Sequence, residues 1–287
     1  MEAQEETPAS PSISSRRKRK RKRPVRKRRR RISRVAVPSF FTLMNLLCGF
    51  GAITSVFEGR IEFACWLIVF ASFFDMLDGM MARLTNSVSM FGVELDSLSD
   101  IVSFGVAPSF LMYVSGLNEL GLPGLFLSAL PTLCGAVRLA RFNLNVELEG
   151  DKPPFFTGLP IPAQAAAIVA LILNLEELSW IYQDDGTAFS LLIPYVIILA
   201  GLMVSTIPFD VAPKPTTAYI RKHPLKFLAA LVGVGLIIIF QKTGLLIASL
   251  MYLGAGLANA GIQVFRALQR KPEAPADSTV SSSNKLT

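Results

Sequence analysis

Histidine, cysteine and charge are all scarce in this sequence. The single histidine, His223, stands in a polar loop with no cysteine or second histidine nearby. A histidine-dependent triad or a histidine-rich metal site is therefore not expected. Cys48, Cys65 and Cys134 lie singly inside apolar runs. Without CxxC spacing they suggest neither a disulfide framework nor a zinc site, and they read as small apolar packing residues. Only 17% of the 287 residues are charged, whereas 51% are hydrophobic.

What the sequence does hold is long uncharged, mostly apolar runs. They cover Val35–Phe57, Ile101–Asn118, Gly121–Val137, Pro153–Leu175, Gly186–Phe209 and Thr243–Phe265. Most approach the roughly 18–25 residues that cross a bilayer core of about 30 Å. Two shorter runs, Phe63–Phe74 and Phe227–Gln241, suffice if their flanks are included. A soluble core has no need of so many long runs without polar faces. The expectation is an all-α, polytopic membrane helical bundle of about eight transmembrane helices.

The net charge of +8 belongs to one segment. Between Arg16 and Arg31 every residue but Pro24 and Val25 is Lys or Arg, and Arg34 follows. The remainder of the chain is slightly acidic. Nucleic acid is one partner for such a run. No folded recognition module or aromatic interleaving accompanies it, so no nucleic acid is expected. Its place beside the first span favours a cytoplasmic tail meeting anionic lipid headgroups. Residues 1–34 and 267–287 read as disordered tails. The positive-inside rule then puts both termini in the cytoplasm, together with the loop carrying Lys214, Arg221, Lys222 and Lys226. The loop with Glu176, Glu177, Asp184 and Asp185 falls on the opposite side.

The segment with chemical content runs from Asp75 to Asp100. Asp75 and Asp78 are i,i+3 and share one helix face; Asp96 and Asp100 are i,i+4 and share another. The stretch Leu84–Gly92 between them is long enough to turn. Four carboxylates could thus converge near the cytoplasmic boundary, where their mutual repulsion and burial are costly unless cations or protons neutralise them. Magnesium or manganese suits carboxylate oxygen, and a metal pair can clamp the oxygens of a phosphoryl displacement. Gly79 allows close approach to the helix backbone, and the Arg83 guanidinium can hold a diphosphate oxygen.

The pattern D-x2-D-G-x2-A-R-x8-G-x3-D-x3-D, from Asp75 through Gly79, Ala82, Arg83 and Gly92 to Asp100, resembles the signature of the CDP-alcohol phosphatidyltransferase family. The resemblance spans roughly Pro38 to Phe209. It implies two divalent cations, Mg2+ or Mn2+, held by Asp75, Asp78, Asp96 and Asp100, with Asp100 also the catalytic general base. It implies that Gly79, Ala82 and Arg83 line the CDP-lipid site, with Ser89 nearby. It further implies a six-helix catalytic core within residues 35–225 and a homodimer; the positive-inside orientation puts the active site at the cytoplasmic face. Residues 226–266 would then be an added pair of transmembrane helices.

Segments around this motif resemble the serine-accepting branch of the family. They are Thr42–Gly49, Asp96–Pro108, Arg138–Asn143 and Gly158–Ala163, with Ser39 standing where members commonly carry Asn. The reaction implied is CDP-diacylglycerol with L-serine, giving phosphatidylserine and CMP. Another acceptor, glycerol phosphate or an inositol, is the nearest alternative; a cation transporter using the Asp cluster is an alternative from another class. Thr42 and Asn45, i,i+3 on the first span, suit either the diphosphate or a neighbouring helix cap. Arg138 and Arg141 suit a serine carboxylate or lipid phosphate, or equally a role as interfacial anchors. Lys214 is open to the same acceptor role or to that of a positive-inside loop lysine.

Overall fold

The computed structural model describes residues 29–85, 89–149, 156–179, 189–205, 207–209 and 224–269. The basic run before residue 29, the loop with Lys214 and His223, and the tail after residue 269 lie outside the described residues.

The first two helices are α1 (Arg29–Phe57) and α2 (Ile61–Leu84). α1 begins within the basic stretch, where Arg is a good helix former and the apolar run beyond it supplies the packing. Its end is sharply defined. Gly59 takes φ +74°, its N–H bonds Val56 O at 3.0 Å, and the N–H of Arg60 bonds Ser55 O at 2.9 Å. These paired bonds make a Schellman cap, which needs a left-handed residue at Gly59. The chain turns directly into α2, and the two helices pack along one another.

α3 (Met90–Asp100) runs into a π-helical turn at Ile101–Val106 and on into α4 (Ala107–Val114). The helix therefore starts well before the apolar run at Ile101, because Asp96 and Asp100 interrupt the hydropathy there. Pro108 explains the widened turn. It has no N–H for Phe104 O, and its ring crowds that carbonyl, so the ladder shifts to the bond from Ala107 N–H to Val102 O.

α5 (Leu122–Glu149) follows a short 3-10 turn at Leu117–Leu120. Next come α6 (Ile161–Leu173) and α7 (Phe189–Val204). Two-residue strands, β1 (Phe156–Thr157) and β2 (Pro208–Phe209), clasp the entry to α6 to the exit of α7. α6 is the hub: Ala165, Ala167, Ile168, Val169 and Ala170 are fully buried. At 13 residues it spans about 20 Å, short for a bilayer, but its neighbours α2, α4, α7 and the last helix, which starts at Pro224, shield it.

α8 (Pro224–Gln269) breaks at Gln241, where φ is 43° and ψ −103°. The two arms fold back on each other: a Cβ on Gly244 would stand 2.0 Å from Leu236 O, and one on Gly233 lies 3.9 Å from Ala248 Cβ. Asn174 donates to Lys242 O at 3.0 Å, and Lys242 pairs with Glu62 at 3.0 Å. Among the described residues, five helices are long and apolar enough to cross a membrane, and α6 and α7 are shorter apolar helices. Counting α3, the π turn and α4 as one continuous helix and dividing α8 at its break, eight helical segments stand among the described residues, and each expected apolar run contains one. Phe40, Leu47, Phe50, Phe126 and Ile238 are exposed on the outside. That is the surface an acyl-chain solvent requires. The chain is a multi-pass, all-α membrane protein.

Candidate active site

Asp75, Asp78, Gly79 and Ala82 fall on one face of α2 by their i, i+3, i+4, i+7 spacing. Asp96 and Asp100 lie one turn apart on α3. Carboxylate oxygens of Asp75, Asp96 and Asp100 all lie within 4.8 Å of one another. Asp78 also acts electrostatically on Asp100. Asp78 and Asp100 are buried, and Asp75 and Asp96 are half-buried.

α1 packs against both carboxylate-bearing helices and holds two of the acids. The Thr42 hydroxyl donates to Asp78 Oδ2, and Asn45 Nδ2 donates to Asp100 Oδ1 at 3.1 Å. The same face of α1 is fastened to the helix that carries Asp100. Ser99 Oγ donates to Thr42 O and Ser103 Oγ to Asn45 O, each at 2.9 Å. Gly49 permits this approach, since a Cβ there would stand 2.6 Å from Ser103 Cα. Thr42 and Asn45 thus each donate to one of the clustered acids. They orient the carboxylates.

Around this centre the other expected residues separate. Gly79 is exposed, and the atom nearest to a Cβ built on it is a guanidinium nitrogen of Arg83, 4.0 Å away. Ala82 is half-buried on the same face and Arg83 is exposed, so this turn of α2 leaves room beside the acids. Ser89 is the N-cap of α3, accepting from Gly92 N–H at 3.0 Å. Its hydroxyl thus has a local structural task. Arg138 is half-buried on α5 within electrostatic reach of Asp100, whereas Arg141 is exposed. Asn143, a turn further on, donates to Ser97 Oγ at 3.0 Å and ties α5 to α3. Lys214 lies outside the described residues.

The donor set consists of carboxylate oxygens alone, which favours hard divalent cations. Each charged pair at such a separation repels by about 3.5 kcal/mol at an effective dielectric near 20. Divalent ions would remove that repulsion, so the residues fit a metal centre.

Three carboxylates brought together by apolar helices give a membrane protein with a cluster able to hold a metal ion. The family model for CDP-alcohol phosphatidyltransferase matches residues 35–207, and the chain belongs to that family. Among its relatives is the CDP-diacylglycerol–serine O-phosphatidyltransferase of Helicobacter pylori (strain ATCC 700392 / 26695). That protein is 33% identical over 77% of this chain and 89% of its own length. The Bacillus subtilis (strain 168) protein of the same description is 41% identical over 47% of this chain and 74% of its own. An archaetidylserine synthase of Methanothermobacter thermautotrophicus is 36% identical over 62% of this chain and 70% of its own.

Proposed function

We propose that the protein transfers the phosphatidyl group of CDP-diacylglycerol to the hydroxyl of L-serine, releasing CMP. The observation that carries this reading is the gathering of Asp75, Asp96 and Asp100, with Asp100 held by Asn45. The relatives described above support serine, because their names share that acceptor while differing in the lipid.

Asp75, Asp78, Asp96 and Asp100 would hold two divalent cations, which when bound supply positive charge to the diphosphate. Gly79 and Ala82 leave space for the cytidine diphosphate on α2, and Arg83 extends a bidentate donor to its oxygens. Arg138 holds the carboxylate of serine. Asp100 accepts the proton of the serine hydroxyl as its oxygen bonds to the lipid-side phosphorus. The bond from that phosphorus to the bridging oxygen breaks, and CMP departs with the electron pair. Asn45 keeps the Asp100 carboxylate turned toward the acceptor throughout.

The reading also places the site at the cytoplasmic face, with the basic tail against anionic headgroups and the α8 hairpin as an addition to a catalytic core. The test is CMP release by the purified protein with CDP-diacylglycerol, magnesium or manganese, and one alcohol at a time. Release with serine alone is the expected result. Release only with glycerol phosphate or inositol overturns the acceptor, and release with none overturns the transfer.

A further inference from the structure

The helix that carries Asp96 and Asp100 receives hydrogen bonds on two flanks. On one, Ser99 Oγ donates to Thr42 O of α1 at 2.9 Å. On the other, Ser97 Oγ accepts from Asn143 Nδ2 of α5 at 3.0 Å and donates its own proton to Val93 O at 3.1 Å. Each residue of an α-helix is turned about 100° from the last, so Ser97 and Ser99 lie about 160° apart around α3. The arc between them holds both Asp96 and Asp100, which are about 40° from one another. The two serine bonds thus brace the helix from nearly opposite sides, with the acids in between.

The outer brace stands on a firm post. About three turns before Asn143, on the same face of α5, is Thr132. Its hydroxyl shares a hydrogen bond with that of Ser109 on α4 at 2.9 Å. A Cβ built on Gly105, in the π turn, would lie 3.4 Å from Thr132 Cα, so the two backbones run close there. α5 is thereby anchored at two points along the continuous rod of α3, the π turn and α4. The Asn143 bond is the anchor that meets the turn holding the acids.

We propose that Asn143 is a positioning residue for the metal centre: its bond to Ser97 sets the rotation of α3 about its axis and so aims Asp96 and Asp100 toward Asp75. A helix braced by α1 alone can roll about that contact. A roll of about 20° carries an oxygen about 6 Å from the helix axis through about 2 Å, a whole magnesium–oxygen bond length. A neutral amide suits the task, since it donates to the hydroxyl without adding charge beside the acids.

The proposal rests on the reading of the carboxylates as a divalent-metal site. Its test is Mn2+ binding to full-length protein in detergent, followed through the electron paramagnetic resonance signal of the free ion, beside metal-free melting curves. Asn143→Ala removes the brace from the α5 side and Ser97→Ala from the α3 side, so the outcome does not hang on one variant folding. Each should weaken Mn2+ binding by about fivefold, the order of one net hydrogen bond. The double variant should lose no more than either single one, because both act through the same bond. Ser97→Thr keeps the accepting hydroxyl and should keep near-native affinity. Unchanged Mn2+ affinity in Asn143→Ala overturns the proposal, as do losses that add in the double variant. A lowered melting temperature with native Mn2+ affinity marks the bond as packing alone and overturns it too. Failure of the metal reading shows separately, as no Mn2+ binding by the unsubstituted protein, and overturns both.

Discussion

Asn45 on α1 donates its amide proton to Asp100 on α3 across 3.1 Å, with both side chains buried. That bond links the first helix to the acid that would take the acceptor proton. It fixes the direction of a carboxylate that is otherwise surrounded by like charge from Asp75, Asp96 and Asp78.

Removing this donor should impair chemistry more than folding. Asn45→Ala is expected to lower kcat by about 10- to 100-fold, the range for a buried hydrogen bond to a charged group. Thermal unfolding in detergent should move only slightly, since Ser99 and Ser103 still fasten α1 to α3. A steady-state CMP assay beside a melting curve checks both parts.

Gly49 tests the packing itself. A Cβ at this position would meet Ser103 at 2.3 Å from Oγ and 2.6 Å from Cα, and the backbone atom cannot swing away. Gly49→Ala should separate α1 from α3 and destabilise the fold by about 1–3 kcal/mol, the usual range for overpacking. Gly201→Ala is the control, because nothing lies within 4 Å of its added methyl group and no loss of stability is expected. Melting temperatures of the two variants make the comparison.

Chelation should reveal the carboxylate cluster in two ways. Stripping divalent ions is expected to abolish CMP release, with recovery on adding magnesium or manganese but not sodium or potassium. Saturating metal at about 100 times its Kd should stabilise the fold by about 2.7 kcal/mol. The same gain should shrink in Asp75→Asn, which removes one of the three converging carboxylates.

Much of this architecture was legible in the order of residues. Apolar runs marked the helices, and the spacing of Asp75, Asp78, Asp96 and Asp100 marked two helix faces. The cap at Gly59 and the π turn before Pro108 are local features with local signals. Other relationships depend on which helices meet. Thr42 and Asn45 read as diphosphate contacts or caps, because nothing in α1 alone says that it faces the acids. Ser99, Ser103 and Gly49 form a small, polar strip across two helices, a common device for close packing in membranes that becomes clear only once both are paired. Arg138 and Arg141 differ by one turn and look equivalent in sequence; packing of α5 half-buries the first and leaves the second exposed.

The central claim is that Asp100 takes the proton of an acceptor hydroxyl within a carboxylate centre. Its most direct test is Asp100→Asn, which preserves shape and removes the basic oxygen, assayed by CMP release from CDP-diacylglycerol and serine at saturating metal. A fall in kcat of about 10²- to 10⁴-fold, the usual contribution of a general base, is the predicted result. Full activity in that variant, with an unchanged melting temperature, would contradict the account.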